Sequence, residues 1–253
     1  MGGHIDCYID LNSIYSYFAF LHLRSHLDTL ASHGVSLAFH PVYLPELQRR
    51  SGNRVIWTVA ARQAWLERYE LPRSKRDFGV PRAGPPAGDL NSLFDVGPTR
   101  LPLRALLAIR GSYPRGVYDA AWHWLYHCFW TPPQQRIKDE GPLREALAAM
   151  PAGFAGEEAD TSAGSKKQFS GAQVDAIMIR ANEKDVRDEL ERKTDEALGQ
   201  GGFGAPWLMV RNSAGAVEPF FGSDRFGQIY EFLGLPFNRL ELLPRDGPVK
   251  ANM

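Results

Sequence analysis

Phe203-Gly204-Ala205-Pro206 runs into Trp207-Leu208-Met209-Val210, and after a polar turn the chain reads Phe221-Gly222-Ser223-Asp224-Arg225. The apolar runs 207–211 and 217–221 flank the turn, and this pattern predicts an antiparallel hairpin. Ser223 predicts the cap of a last helix that extends through Leu233. Pro206 directly precedes the first of these runs, and an isolated proline at such a place is more commonly trans and opens a strand.

The N-terminus supplies a complementary unit. A short alternating run from Ile5 to Ile9 predicts a strand, and apolar residues at helical spacing predict one amphipathic helix over residues 13 to about 33. Residues 36–42 predict a second strand, parallel to the first through a right-handed crossover. Ser13 therefore stands where a helix begins, and there unpaired N–H groups and the positive end of the helix dipole favour an anion.

A helical region separates these two halves. Between residues 45 and about 198 the apolar spacing predicts helices over 57–69, 102–109, 117–129, 143–150 and 174–198. Residues 151–172 are small and polar, which predicts a flexible connection rather than core. The pattern predicts a helical domain inserted into a split domain of β-α-β and β-β-α halves.

Composition excludes several classes of function. Lys plus Arg and Asp plus Glu each total 29 in 253 residues, so no basic field favours nucleic acid or a membrane surface. The apolar runs are too short to cross a membrane, and the N-terminus shows no secretion signal. The chain has only two cysteines, Cys7 and Cys128, so we expect no disulfide framework. We expect a reducing intracellular compartment instead.

Four separated patches carry a family resemblance. They are Ile9-Asp10-Leu11-Asn12-Ser13-Ile14-Tyr15-Ser16-Tyr17, Ser51-Gly52-Asn53, Phe203-Gly204-Ala205-Pro206 and Phe221-Gly222-Ser223-Asp224-Arg225. In this order they resemble motifs of the kappa-class glutathione transferases and the related 2-hydroxychromene-2-carboxylate isomerases. The chain departs from the pattern at Ile14, where a proline is usual, at Arg62, where a lysine is usual, and in a shorter stretch after Asn53.

The resemblance implies an α/β fold, a thioredoxin-like domain split by a large all-helical insertion, as in DsbA-type oxidoreductases. The implied division is 1–44 for the N-terminal half, 45–198 for the insertion, 199–238 for the C-terminal half and 239–253 for a tail. It also implies a homodimer.

The resemblance further implies that glutathione is the co-substrate and that Ser13 is the catalytic residue. The implied glutathione-binding residues are Ser13, Ile14, Tyr15, Asn53, Ala205, Pro206, Ser223 and Asp224. Because serines occupy the positions where dithiol oxidoreductases place cysteines, the sulfur must come from the bound thiol. Chemically, Ser223 suits the γ-glutamyl carboxylate and Asp224 its ammonium group. The resemblance also implies that the peptide bond before Pro206 is cis, against the alternative of a trans-proline that opens a strand. Four other residues have a structural alternative: a helix cap for Ser13, Ser223 and Asp224, and a turn for Asn53.

We expect a transferase that conjugates glutathione to a small electrophile. The alternatives are a glutathione-dependent isomerase and a non-catalytic thiol-binding or peptide-binding module. No metal is expected, although His22/His26 and His123/His127 have helical spacing. The aromatic residues of 122–130 are expected either to line the electrophile pocket or to pack in the core. The expected location is the cytoplasm, with the peroxisome (from the terminal Ala251-Asn252-Met253) or the mitochondrion as alternatives.

Overall fold

The computed structural model describes residues 2–156 and 166–239. One mixed sheet has the strand order β2-β1-β3-β4, with bounds β1 Gly3–Ile9, β2 Val35–Pro41, β3 Trp207–Asn212 and β4 Val217–Phe221. β1 pairs with β2 in parallel and with β3 antiparallel, and β3 pairs with β4 antiparallel. The parallel β-α-β pairing and the hairpin predicted from the sequence are therefore confirmed.

Helices α1 Ile14–Ser25 and α2 Leu27–Ser32 connect β1 to β2. Between β2 and β3 the described chain is mainly helical, and its α-helices are α3 Leu44–Ser51, α4 Ala60–Trp65, α5 Leu71–Asp77, α6 Leu93–Val96, α7 Arg100–Ser112, α8 Arg115–Trp130, α9 Glu140–Ala149, α10 Gly171–Ala181 and α11 Lys184–Gly199. Helix α12 Phe226–Phe232 follows β4. The fold is thus a thioredoxin-like sheet domain with a helical insertion between its second and third strands.

Two predicted helices are each divided in two. The helix predicted over 13–33 breaks at His26, whose backbone angles (φ −107°, ψ 10°) are not helical. The helix predicted over 174–198 breaks after Asn182, because Glu183 is extended and starts α11. Single prolines or glycines do not mark either break, so the apolar spacing alone could not reveal them.

The largest core lies between the sheet and the helices. Ile5, Cys7 and Ile9 alternate along β1 and are fully buried, as expected for one face of a strand. The aromatic side chains of α8 lie in the same core, namely Trp122, Trp124, Tyr126, Phe129 and Trp130. The core-packing alternative therefore holds for this aromatic cluster, and Trp130 in addition reaches the cavity described below.

The prediction that residues 151–172 are not core is wrong for the part that the structure describes. Phe154 and Phe169 are buried in the main core, and Arg24 of α1 donates a hydrogen bond to the Phe154 carbonyl at 3.1 Å. These two aromatics lie in a stretch of small and polar residues, which hid their contribution. Residues 157–165 of this segment and 240–253 of the predicted tail lie outside the described residues. Within the described ranges, no helix combines the length and apolarity that crossing a membrane requires.

Candidate active site

A cavity of about 760 Å³ opens where β1 meets α1. One wall comes from the sheet domain, and the other comes from the insertion. Every residue predicted to bind glutathione lines it, namely Ser13, Ile14, Tyr15, Asn53, Ala205, Pro206, Ser223 and Asp224. The structure thus brings together residues that are up to 211 positions apart in the sequence (13 to 224). Their role in binding glutathione stays a prediction.

Ser13 is the N-cap of α1. Its Oγ accepts a hydrogen bond from the Ser16 amide at 3.1 Å and donates one to the Ala205 carbonyl at 2.9 Å. The expected cap is therefore present, since serine at this position satisfies an otherwise unpaired helix N–H. The bond to Ala205 is a second interaction that capping does not require, and it joins the two halves of the sheet domain at the cavity.

The first turn of α1 also offers free donors. Among the described residues, the amides of Ile14 and Tyr15 have no acceptor, as is general for the first N–H groups of a helix. Burial, and then the carboxylates of Glu70 and Asp224, raise the pKa of the Tyr15 phenol above its usual range. The phenol therefore keeps its proton at neutral pH. This end of the cavity presents donors and a helix N-terminus to an anion.

The loop before β3 forms the opposite edge. The Ala205–Pro206 peptide bond is cis, as predicted, and the Asn53 side-chain amide donates to the Phe203 carbonyl at 2.8 Å. A Cβ on Gly204 would lie 2.9 Å from Cε2 of Phe221, so glycine permits this close approach. Asn53 therefore ties the end of α3 to the proline loop.

The prediction that Ser223 caps the last helix is wrong. Helix α12 begins at Phe226, and Arg225 occupies the N-cap position without a side-chain cap bond. Ser223 is buried, whereas Asp224 is 70% exposed in its side chain and pairs with Arg225 at 3.1 Å. Both side chains lie two or three positions before the helix, at the rim of the cavity.

Sequence reasoning missed the wall that the insertion supplies. Its apolar members include Ile56, Trp57, Trp65, Leu66, Leu71, Phe78, Leu90 and Leu93, and its cationic members are Arg54, Arg62 and Arg73. A π-helical turn, Leu66–Glu70, joins α4 to α5 on this wall. Such turns occur often at functional sites. The signal in the sequence was Trp65, a tryptophan among small and charged residues, and the structure leaves it 46% exposed.

The sequence analysis assigned no role to Asp10 beyond its place in a motif. In the structure it lies directly beneath the turn that presents Ser13. Its fully buried carboxylate accepts hydrogen bonds from the Thr99 hydroxyl at 2.6 Å, the Leu44 amide at 2.7 Å and the Asn12 amide at 3.1 Å. Burial raises the pKa of Asp10 to about 6, and these donors oppose the rise. An acid at the end of an apolar strand, three residues before Ser13, was the signal in the sequence.

The cysteines do not contribute a dithiol here. Cys7 and Cys128 are both free and buried, and burial raises the pKa of each thiol above its usual range. Both are therefore poor nucleophiles. In the described part of the chain, no three His, Cys, Asp or Glu side chains are grouped as a metal site would need.

Comparison with known proteins identifies sequence relatives among glutathione transferases. No family model matches the chain. Glutathione S-transferase kappa 1 of Caenorhabditis elegans is 25% identical over 92% of this chain and 91% of its own length. Glutathione S-transferase kappa 2 of the same organism is 42% identical over 65 residues, which cover 25% of this chain and 29% of that protein.

Solved structures show the same fold. A 2-hydroxychromene-2-carboxylate isomerase superposes with a TM-score of 0.62 at 17% identity, covering 91% of this chain and 94% of its own. A probable DsbA oxidoreductase of Streptomyces coelicolor gives 0.60 at 14% identity, covering 97% of both chains. The resemblance recognised in the sequence is therefore confirmed: this chain has a DsbA-like thioredoxin fold and is similar, over most of its length, to a kappa-class glutathione transferase.

Proposed function

We propose that this protein is a glutathione-dependent transferase of the kappa type. Glutathione would bind at the sheet-domain wall of the cavity, and a small electrophile would bind against the wall of the insertion. The observation that carries the proposal is the convergence of Ser13, the free amides of α1 and the proline loop at one end of a cavity whose other wall carries apolar and charged side chains.

The Ser13 hydroxyl would exchange one partner for another. In the ligand-free structure it donates to the Ala205 carbonyl. When glutathione binds, rotation of this O–H toward the sulfur would release the carbonyl, which could then accept an amide N–H of the ligand as a short antiparallel strand does. The rotated hydroxyl and the N-terminus of α1 would both favour the thiolate, which is a minor species of a thiol with a pKa of about 8.5.

The chemical step would then be nucleophilic attack by the sulfur, as substitution on an aryl halide or as addition to an enone. The thiol loses its proton to solvent, and the sulfur lone pair forms a bond to the electrophilic carbon. With an aryl halide, the carbon–halogen bond breaks and the halide leaves with the bonding pair. With an enone, the carbanion formed after addition takes up a proton from solvent instead.

The rim of the cavity would recognise the γ-glutamyl end of glutathione. The Asp224 carboxylate can pair with the ligand ammonium, and the Ser223 hydroxyl can donate to its carboxylate. The pair between Asp224 and Arg225 is exposed, so reorganising it costs little. Similarity to a relative named glutathione S-transferase kappa 1 over 92% of the chain supports glutathione as the ligand.

The test combines binding and turnover. The protein is incubated with glutathione and a panel of aryl halides and enones, and the products are identified by mass spectrometry. Conjugates that require Ser13 would support the transferase. Rearranged substrate without net consumption of glutathione would favour the isomerase alternative, and tight binding without either reaction would favour a binding module.

Assembly and location are further parts of this proposal. We expect a homodimer in the cytoplasm, to be checked by sedimentation equilibrium and by imaging of the full chain. Fusing residues 240–253 to a fluorescent protein tests the peroxisomal alternative, since such signals act as exposed C-terminal tails. A diffuse signal would exclude this tail as a sufficient peroxisomal address.

A further inference from the structure

The turn that presents Ser13 is held by the helical insertion. Two donors from one of its helices, α8, reach the backbone of this turn: the Tyr126 hydroxyl donates to the Asp10 carbonyl at 3.2 Å, and the Trp130 indole donates to the Leu11 carbonyl at 2.8 Å. The Asp10 carbonyl also accepts the Ser13 amide at 3.1 Å. The position of Ser13 therefore depends on contacts outside the sheet domain.

The Asp10 side chain connects three segments: the turn before α1, the start of α3 and the start of α7. Oδ1 accepts from Thr99, at the start of α7, and from Asn12 in the turn itself. Oδ2 accepts from the Leu44 amide, at the start of α3. An ionised carboxylate accepts all three bonds, whereas on protonation the bond with the Thr99 hydroxyl would have to reverse or break.

We propose that Asp10 is a positioning residue for the thiol site, whose ionised carboxylate holds Ser13 and the first turn of α1 in place by fixing them to Thr99 and Leu44. Asp10 does not line the cavity, so it would act through the turn and not on the ligand. This inference rests on the proposed function for its effect on glutathione, but the mechanical link between Asp10 and Ser13 can be tested without any ligand.

The titratable side chains near Asp10 bear on the pH at which its carboxylate ionises. The titratable groups that interact with Asp10 are Tyr126 on α8 and Tyr43 before α3, and burial is the first cause that raises the pKa of each. The Asp10 charge further raises the pKa of both tyrosines. The guanidinium of Arg100 lies over the ring of Tyr43, 4.1 Å from the ring centroid. With a pKa of about 6, Asp10 would change its protonation state just below neutral pH.

The ligand-based test uses Asp10→Asn and Thr99→Val, with Thr131→Val as the matched control. Thr131 is a buried threonine whose hydroxyl has no hydrogen-bond partner among the described residues, so its loss removes a hydroxyl without a contact. The ultraviolet absorbance of thiolate is followed against pH in the presence of glutathione. Positioning predicts that Asp10→Asn and Thr99→Val both raise the pKa of the bound thiol, by about one unit, whereas Thr131→Val leaves it unchanged.

A purely electrostatic role would give the opposite sign. Removing a buried negative charge near a thiolate stabilises the thiolate, so Asp10→Asn would lower the pKa of the thiol and Thr99→Val would not change it. Either result would overturn the inference. If wild-type protein shows no thiolate with glutathione, the proposed function fails, and the second measurement decides the inference alone.

The second measurement is nuclear magnetic resonance of the ligand-free, full-length protein. The amide signals of Leu44 and Ser13 should shift together with a midpoint near pH 6, in wild type and in Thr131→Val. Asp10→Asn should remove this transition from both signals. A Ser13 amide that stays constant while Leu44 titrates would show that the carboxylate does not position Ser13, and the inference would be wrong.

Discussion

At the scale of single residues, Ser13 has two roles that substitution can separate. Ser13→Ala removes an N-cap, which costs about 1 kcal/mol of stability, and it also removes the proposed donor to sulfur. Ser170→Ala is the matched control, because Ser170 caps α10 and does not line the cavity. We expect a larger loss of unfolding free energy in urea from Ser13→Ala than from Ser170→Ala, because Ser13 also donates to the Ala205 carbonyl, and loss of the glutathione thiolate absorbance only from Ser13→Ala. Equal thiolate signals in the two variants would leave Ser13 with its capping role alone.

Asp224 is the second residue whose charge can be tested. Asp224→Asn should weaken glutathione binding about tenfold, because the ligand ammonium loses a counter-charge. Folding stability should change by less than about 1 kcal/mol, since the pair with Arg225 is exposed. Asp175→Asn breaks a similarly exposed pair, with Arg144, away from the cavity. Calorimetric titration that shows equal affinity in both variants would remove Asp224 from the binding site.

The site residues were predictable to the extent that they lie in contiguous motifs. Ser13, Pro206 and Asp224 were predicted from motifs that resemble those of a known family, and all three line the cavity. The wall containing Trp57 and Trp65 was not found, because no local period distinguishes a helix that lines a cavity from one that faces solvent. Only the tertiary fold brings that wall opposite Ser13.

At the scale of elements, the segment before α7 packs tightly against the Ser13 turn. A Cβ on Gly97 would lie 2.3 Å from the Leu93 carbonyl oxygen and 2.5 Å from the Asn12 side-chain amide. Gly97→Ala should therefore lower stability by about 1–3 kcal/mol and also displace the turn. Gly111→Ala, in α7 with open space around it, should raise stability by up to about 1 kcal/mol. Urea unfolding measures the stability of both variants. An unchanged unfolding free energy in Gly97→Ala would show that Asn12 and the Leu93 carbonyl shift at little cost.

The strands of the sheet domain were predictable because their signals are short and local. The alternation of apolar residues predicted β1, and the turn Asn212-Ser213-Ala214-Gly215 predicted the hairpin of β3 and β4. Helix ends were less well predicted, since α1 and α2 share one apolar spacing and only the backbone at His26 separates them. The start of α12 was also predicted too early. Ser223 is a residue type that often caps helices, but two more residues follow it before the helix begins at Phe226.

At the scale of the whole molecule, the cavity depends on both parts of the chain. The sheet domain supplies the helix N-terminus and the proline loop, whereas the insertion supplies the apolar wall and the donors that hold the Ser13 turn. Loosening of the insertion should therefore reduce thiol activation as well as binding of the second substrate. A change in either part alters the geometry at the other, because the Asp10 turn is shared between them.

Acid should destabilise the whole fold through the half-buried His22 and the buried His123. Burial, then neighbouring His26, lowers the pKa of His22 to about 4, and burial, then Arg24, lowers that of His123 to about 3, from 6.5. Groups with a lowered pKa stabilise the fold above pH 6.5 and lose that contribution as the pH falls through the folded values. Asp10 acts in the opposite direction, because its raised pKa favours the fold at low pH and that contribution is lost as the pH rises through about 6.

Between pH 6 and 4.5 these three groups leave the unfolded chain with about one more bound proton than the folded chain (two histidines against one aspartate). The unfolding free energy should then fall by at most about 1.4 kcal/mol for each unit of falling pH. Asp10→Asn removes the opposing contribution, so its loss of stability with acid should be steeper, whereas His22→Phe should flatten it. Urea unfolding at a series of pH values measures the slopes. A wild-type stability that stays constant or rises as the pH falls through this window would mean that these histidines are protonated in the folded protein.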